Sequence, residues 1–231
     1  MTPLEQKCNF DAIIERIEKA RLRVSDHHIV KIVAASKYVG VEEIKALYAI
    51  GQRAFGENKV QDMKTKVEEL DALPLEWHFI GNLQKNKINT LLSLNPQLLH
   101  SIDSLEIAHA LNERLTRDGK TLRALVQVNS AYEESKSGFT PEEFNDAYAQ
   151  IIEQCPALHL QGIMSIGAHT DEIDVVKKSF TLTRSLFEKL PNATICSMGM
   201  SGDFELAIEC GSTMVRLGSI LFNHSQSISK G

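Results

Sequence analysis

The sequence predicts a single (β/α)8 barrel preceded by one extra helix. Three observations lead there. Short apolar runs rich in β-branched residues recur along the chain, each followed by a polar loop and an amphipathic helical pattern. Eight such units can be counted. No linker or low-complexity stretch divides the 231 residues, a length at which one α/β barrel is an ordinary single domain. Strand-helix alternation requires parallel strands with right-handed crossovers. Eight nearly uniform units favour closure over an open doubly wound sheet. The expected organisation is one domain over 1–231: a helix over 1–27, the barrel over 28–222 and a tail over 223–231.

The first helix begins at Thr2-Pro3-Leu4-Glu5, with a threonine cap, proline at the first helical position and glutamate placed for a capping box. Phe10, Ile13, Ile14, Ile17 and Val24 fall near one face, so this helix should cover the bottom or side of the body. The strands are expected at 29–35, 53–56, 77–80, 98–102, 122–129, 158–165, 193–196 and 213–217. Helical patterns separate them at 41–50, 59–70, 84–92, 104–116, 141–154, 173–190 and 204–209. Thr140-Pro141-Glu142-Glu143 offers a second capping box, ahead of Phe144, Tyr148, Ile151 and Ile152 on one face.

Composition removes several function classes. A hydrophobic content of 43% supports a large core, and a net charge of -5 argues against nucleic acid as a partner. No apolar run approaches the roughly 20 residues that span a membrane. Glu5, Lys7, Asp11, Glu15 and Arg16 interrupt what would be a signal peptide's apolar core. Cys8, Cys155, Cys196 and Cys210 form no C-x-x-C pair, so neither a metal site nor a disulfide framework is expected. Reduced thiols in the cytoplasm are the plain reading.

Chemistry in barrels collects where strands end. The first strand ends abruptly on Lys37, which places an amine at the mouth with its stem walled by apolar strands. Desolvation there would favour the neutral, nucleophilic form that makes Schiff bases, although a surface lysine past a strand is an equal reading of this stretch. The other strand ends bring Glu57, Asn58, His78, Asn82, Asp103, Asn129, Ser165, the 197–202 loop, Arg216, Gly218 and Ser219 to the same rim. In Ser197-Met198-Gly199-Met200-Ser201-Gly202-Asp203, glycines let backbone N–H groups approach an anion just before a helix. Gly218-Ser219 supplies a second set of donors, and loops after strands 7 and 8 often build phosphate sites in such barrels. An ordinary αβ turn is the alternative. His78 alone reads as a hydrogen-bonded barrel residue, with no metal-ligand spacing near it.

Taken together the motifs resemble one family. Ala34-Ala35-Ser36-Lys37, Phe55-Gly56-Glu57-Asn58, Trp77-His78-Phe79-Ile80-Gly81 with Leu83-Gln84-Lys85-Asn86-Lys87, Ser135-Lys136-Ser137-Gly138, Ser197-Met198-Gly199-Met200-Ser201 and Val215-Arg216-Leu217-Gly218 occur in that order. The set resembles the pyridoxal phosphate homeostasis protein family, also called proline synthetase co-transcribed homologues, over about residues 30–222. That family is similar to the N-terminal, fold-type III barrel of alanine racemase. The resemblance implies pyridoxal 5′-phosphate (PLP) held as an internal aldimine on Lys37. It also implies phosphate contacts from Ser201, Gly202, Gly218 and Ser219, with Asn58 lining the pocket and Arg216 facing the pyridine nitrogen. An alternative for Arg216 is a barrel carboxylate such as Glu57. Asn82, Lys59 and the tail after Phe222 depart from the family pattern.

Three functions fit the residues themselves: a PLP carrier without turnover, a racemase-like PLP enzyme, and a Schiff-base aldolase acting on a phosphorylated sugar. The resemblance favours the PLP group over aldolases. Two-base racemisation needs an acid/base group on each face of the substrate. In alanine racemase one of these comes from a second domain that this sequence is not expected to carry. The expectation is therefore a cytoplasmic, monomeric PLP homeostasis protein that delivers its cofactor to apo PLP-dependent enzymes and is not itself an enzyme.

Overall fold

A computed structural model describes residues 2–222. Eight parallel strands close into a barrel in sequence order, β1 (Lys31–Ala35), β2 (Ala54–Glu57), β3 (Glu76–Phe79), β4 (Leu98–Ile102), β5 (Leu122–Val128), β6 (Leu158–Ser165), β7 (Ile195–Ser197) and β8 (Met214–Leu217). Pairing of Lys31 with Met214 and of Ala34 with Leu217 joins β8 back to β1. Helices α1 (Pro3–Leu22), α2 (Val41–Ala49), α3 (Val60–Glu69), α4 (Ile88–Ser93), α5 (Leu105–Arg117), α6 (Phe144–Gln154), α7 (Ile173–Phe187) and α8 (Phe204–Glu209) surround it. The expected fold class is thus the observed one. A short α9 (Ser219–Phe222) follows the last strand and lay outside the sequence expectations.

Differences lie mostly at element ends. Ile29 is 80% exposed and precedes the strand, because the chain only joins the sheet where Lys31 meets β8. The stretch 84–92 splits into a 3-10 turn, Lys85–Lys87, and then α4. The Thr140 hydroxyl does bond Glu143, yet α6 begins at Phe144 and residues 141–143 form a turn. On α6, Phe144, Tyr148 and Ile151 are buried but Ile152 is 46% exposed, one step round the helix. Likewise α1 carries the expected capping box, but its buried stripe is Ile13, Ile17 and Ala20. Ile14 lies one step round the helix from that seam and Val24 beyond its end at Leu22, so both remain exposed.

Two apolar clusters divide the core. One lies between strands and helices and includes Phe55, Phe79, Leu91, Leu111, Tyr148 and Phe180. The other, Val33, Ala54, Leu98, Leu125, Met164 and Met214, fills the barrel's lower interior from alternate strand positions. Above it the inward side chains turn polar, and that change of layer positions the site. A register shift in β5–β6 pairing is permitted by Gly162, at φ +145, where a Cβ would lie 2.0 Å from the Ile195 carbonyl oxygen. The first helix packs on α8 and α9: Arg16 pairs with Glu205 of α8, and the Asn9 amide donates to the Ile220 carbonyl in α9 at 2.9 Å.

Candidate functional site

The upper mouth is built from loops after β1, β2, β7 and β8. Because β1 and β8 are neighbours, Ala35 and Gly218 emerge side by side, and a Cβ on Gly218 would sit 3.3 Å from the Ala35 carbonyl. The loop after β7 crosses to meet them. Ser201 Oγ accepts from the Gly218 N–H at 3.1 Å and the Ile220 N–H at 3.5 Å. Sequence positions 17 and 19 residues apart are thereby gathered into one cup of backbone donors. Gly199 makes the crossing possible: its φ is +95, and a Cβ there would lie 2.6 Å from Ala207 Cβ. Asp203 Oδ1 accepts from the Met200 N–H at 2.6 Å and pins the loop's far side, while burial raises this carboxyl above its usual range. Gly202 and Ser219 are exposed beside the cup, where a ligand has access.

Arg216 rises from β8 into the interior and is 5% exposed. Its Nη1 donates to the Ser197 carbonyl at 2.9 Å and to Ser197 Oγ at 2.7 Å. Its Nη2 donates to the Ser165 carbonyl at 2.8 Å. Burial pulls its pKa down to about 10, so it remains a cation at neutral pH. Among the described residues no carboxylate hydrogen-bonds it. Glu57, the alternative partner, is engaged elsewhere: its Oε1 accepts from Lys66 Nζ at 2.7 Å and from Ser36 Oγ at 2.6 Å. A guanidinium has five N–H donors, so two remain beyond those three bonds.

Lys37 departs from expectation. It lies in the turn after β1, half-buried, with Nζ 4.9 Å from the ring centroid of the exposed Tyr38. It lines a groove with Asp62, Thr65 and Glu69 rather than a dry apolar wall. The strand ends at Ala35, so the apolar walls stop two residues short of it. Its backbone is nevertheless fixed, since Lys66 Nζ donates to the Ser36 carbonyl at 2.7 Å. Asn58 follows β2, half-buried, and its carbonyl passes so close to Gly81 that a Cβ there would lie 2.0 Å away. His78 is not on the rim: it sits in mid-strand and lines the opposite, lower opening with Lys31 and Arg123.

The loop after β5 roofs one side of the mouth. The Asn129 amide donates to the carbonyls of Glu133 and Lys136, and Lys136 Nζ bonds Glu133 and the Gly167 carbonyl. A cleft of ≈ 970 Å³ opens there between Lys136, Gly167, Met200, Gly202 and Asp203.

A profile described as alanine racemase, N-terminal domain, matches residues 8–226. A Helicobacter pylori protein named pyridoxal phosphate homeostasis protein is 58% identical over 95% of this chain and 99% of its own length. The same name is carried by a Pasteurella multocida relative, 44% identical over 84% of this chain and 85% of that one. The chain belongs to the pyridoxal phosphate homeostasis protein family. A solved structure of PipY from Synechococcus elongatus PCC7942 with PLP bound superposes with a TM-score of 0.76 at 30% identity, covering 90% of this chain and 99% of that one. An alanine racemase of Clostridium difficile 630 shares the fold, with a TM-score of 0.74 at 20% identity, over 93% of this chain and 56% of that one.

Two of this chain's departures from the family pattern have a visible place. Asn82 donates to Ser137 Oγ at 2.8 Å, tying the β3 loop to the roof loop, and Lys59 is the exposed residue that starts α3. The tail after Phe222 lies outside the described residues. Sequence reasoning passed over Lys66 and His100. Lys66 continues the buried Val60, Met63, Leu70 stripe of α3, and His100 stands among the apolar residues of β4. In each, a polar residue on an apolar period was the available signal.

The geometry tests well against PLP. A cup of N–H donors closed by a hydroxyl suits a phosphate. A buried cation with spare donors suits an aromatic nitrogen acceptor.

Proposed function

We propose that the whole chain is one PLP-binding unit that stores the cofactor and delivers it to apo-enzymes, without substantial turnover of amino acids. The carrying observation is Arg216: a buried cation held by two carbonyls and a hydroxyl, with no carboxylate hydrogen-bonded to it among the described residues. The 58% identical relative of the same name and the PLP-bound PipY structure support the cofactor assignment. When bound, PLP supplies an aldehyde that condenses with amines and a ring that accepts electrons.

Lys37 is the attachment point in this reading, once its side chain leaves Tyr38 and turns over the mouth. Ser201, Gly202, Gly218 and Ser219 hold the phosphate, and Asn58 lines the pocket. Arg216 donates to the pyridine nitrogen and, being a cation, opposes a proton at that atom. A ring nitrogen kept unprotonated withdraws electrons weakly, which disfavours carbanion chemistry. The protein acts in the cytoplasm as a monomer. Borohydride treatment of the PLP-loaded protein should fix the label on Lys37, and Lys37→Ala should lose the visible absorption. Label on Lys31 or Lys136 would overturn the attachment, and racemisation at about 1–10³ s⁻¹ would overturn the carrier reading.

A further inference from the structure

We infer that His78, His100 and Ser197 form a one-way hydrogen-bond relay across the barrel interior that positions Arg216 and keeps both imidazoles neutral, each with its proton on Nε2. The starting point is chemical. A guanidinium can only donate, so Ser197 Oγ accepts from Arg216 Nη1 at 2.7 Å. The other contact of that hydroxyl is His100 Nδ1, at 3.2 Å. With Ser197 donating there, His100 Nδ1 is an acceptor and the ring's proton sits on Nε2. That Nε2 faces His78 Nδ1 at 2.9 Å, so His78 accepts in turn and carries its own proton on Nε2. Among the described residues the last N–H finds no hydrogen-bond partner, but a carboxylate oxygen of Glu76 is 4.0 Å away.

The reverse polarity is disfavoured at both ends. It would leave the buried Ser197 O–H without an acceptor, and it would aim a bare His78 nitrogen lone pair at the Glu76 carboxylate. A doubly protonated ring is disfavoured as well. His100 is fully buried, with Arg216 on one side and His78 on the other, and burial holds its pKa well below the ordinary 6.5. His78 faces Glu76, Lys31, Arg123 and His100, and burial lowers it too despite the carboxylate. Lys31 ion-pairs with Glu76 at the lower mouth, which further limits what Glu76 offers His78.

The relay determines what Arg216 can do. Ser197 takes both Nη1 protons, through its carbonyl and its hydroxyl, and His100 fixes the rotation of that hydroxyl. The guanidinium plane is therefore set from below, and its unused donors are left for the cup side. His100 and His78 act through Ser197 and are positioning residues. The consequence for the cofactor rests on the PLP reading; the relay itself does not.

The test has two arms. In the apoprotein labelled with 15N-histidine, NMR should show His78 and His100 as neutral Nε2–H tautomers throughout pH 6–8. A proton on Nδ1, or titration near 6.5, overturns the relay whatever the protein binds. In the PLP-loaded protein, His100→Phe should change the visible spectrum and its pH dependence and release PLP about tenfold faster, as expected from weakening one charged hydrogen bond. His100→Asn, whose amide oxygen can stand where Nδ1 stood, should restore both. A spectrum, titration and release rate in His100→Phe matching wild type would overturn the positioning role even with the tautomers confirmed.

Discussion

Replacing Lys66 by methionine should cost far more stability than its place on a surface helix suggests. Glu57 is fully buried, and among the described residues its Oε1 receives only the Lys66 ammonium at 2.7 Å and the Ser36 hydroxyl at 2.6 Å. Its Oε2 has no hydrogen-bond partner among the described residues. Lys66→Met therefore strands a buried carboxylate on one serine hydrogen bond and releases the Ser36 carbonyl next to Lys37. Removing one member of such a pair costs roughly 3–5 kcal/mol. With a urea slope of about 2 kcal/mol/M, the midpoint should fall by about 1.5–2.5 M. Arg16→Met provides the contrast, because the Arg16–Glu205 pair is 43% and 45% exposed and is worth about 0–1 kcal/mol. Adding Glu57→Leu to Lys66→Met should recover most of the loss, since an apolar pair of similar volume replaces a buried ion pair at little cost. A cycle built from these variants isolates the coupling. A loss below ~1 kcal/mol in Lys66→Met, or additive effects in the cycle, would falsify the account of Glu57 as a carboxylate dependent on Lys66.

Further outcomes are expected. Ser201→Ala should weaken PLP retention by roughly 1.5–3 kcal/mol, about tenfold or more, while leaving covalent attachment at Lys37 intact; equilibrium dialysis with unchanged retention would place the phosphate elsewhere. The two buried histidines make stability fall below pH 6.5. Burial lowers both folded pKa values, so the unfolded chain binds more protons there, and each contributes a slope of up to roughly 1.4 kcal/mol per pH unit. Urea midpoints between pH 5 and 7.5 should show this slope, and His100→Phe should remove part of it. Cys196 is fully buried, with its thiol pushed up to about 12, whereas Cys8 is exposed. Iodoacetamide should therefore label Cys8 in the native protein and reach Cys196 only after unfolding, as peptide mass mapping will read.

The barrel was legible because its signals are local. Each strand is an apolar run bounded by polar loops, and the expected limits fall within one residue of the observed ones except at Ile29 and Ala193, each two residues early, where an apolar run begins before its neighbour strand does. Loop glycines marked the crossing of the 197–203 segment, and the Ser201 contact with Gly218 brings together two loops that the strand count had put side by side. What escaped was set by partners distant in sequence. The role of Lys66 shows only once Glu57 is seen behind it, 9 residues back along the chain but one layer inward. His100 becomes part of a network only because β4 faces β7 across the interior, 97 residues away. The direction of the Lys37 side chain was not encoded in the strand pattern either, because that pattern ends at Ala35.

The pairing of α1 with α8 and α9 has a consequence for how the protein is made. Arg16 and Glu205 are 189 residues apart, and Asn9 and Ile220 are 211 apart. The first helix leaves the ribosome early and then waits. At about 5–20 residues per second, roughly 10–40 s pass before its partner exists. Through that interval β1 has no neighbour at its β8 side, and an unpaired strand edge is a template for wrong pairing. Contacts of such long sequence separation also slow the search for the native arrangement. Closure of the sheet, seating of α1 and assembly of the Ser201–Gly218 cup all depend on residues 195–222. A chain grown only as far as β7 therefore has most of its strands but not the Ser201–Gly218 contact, which exists only once Gly218 and Ile220 have been made.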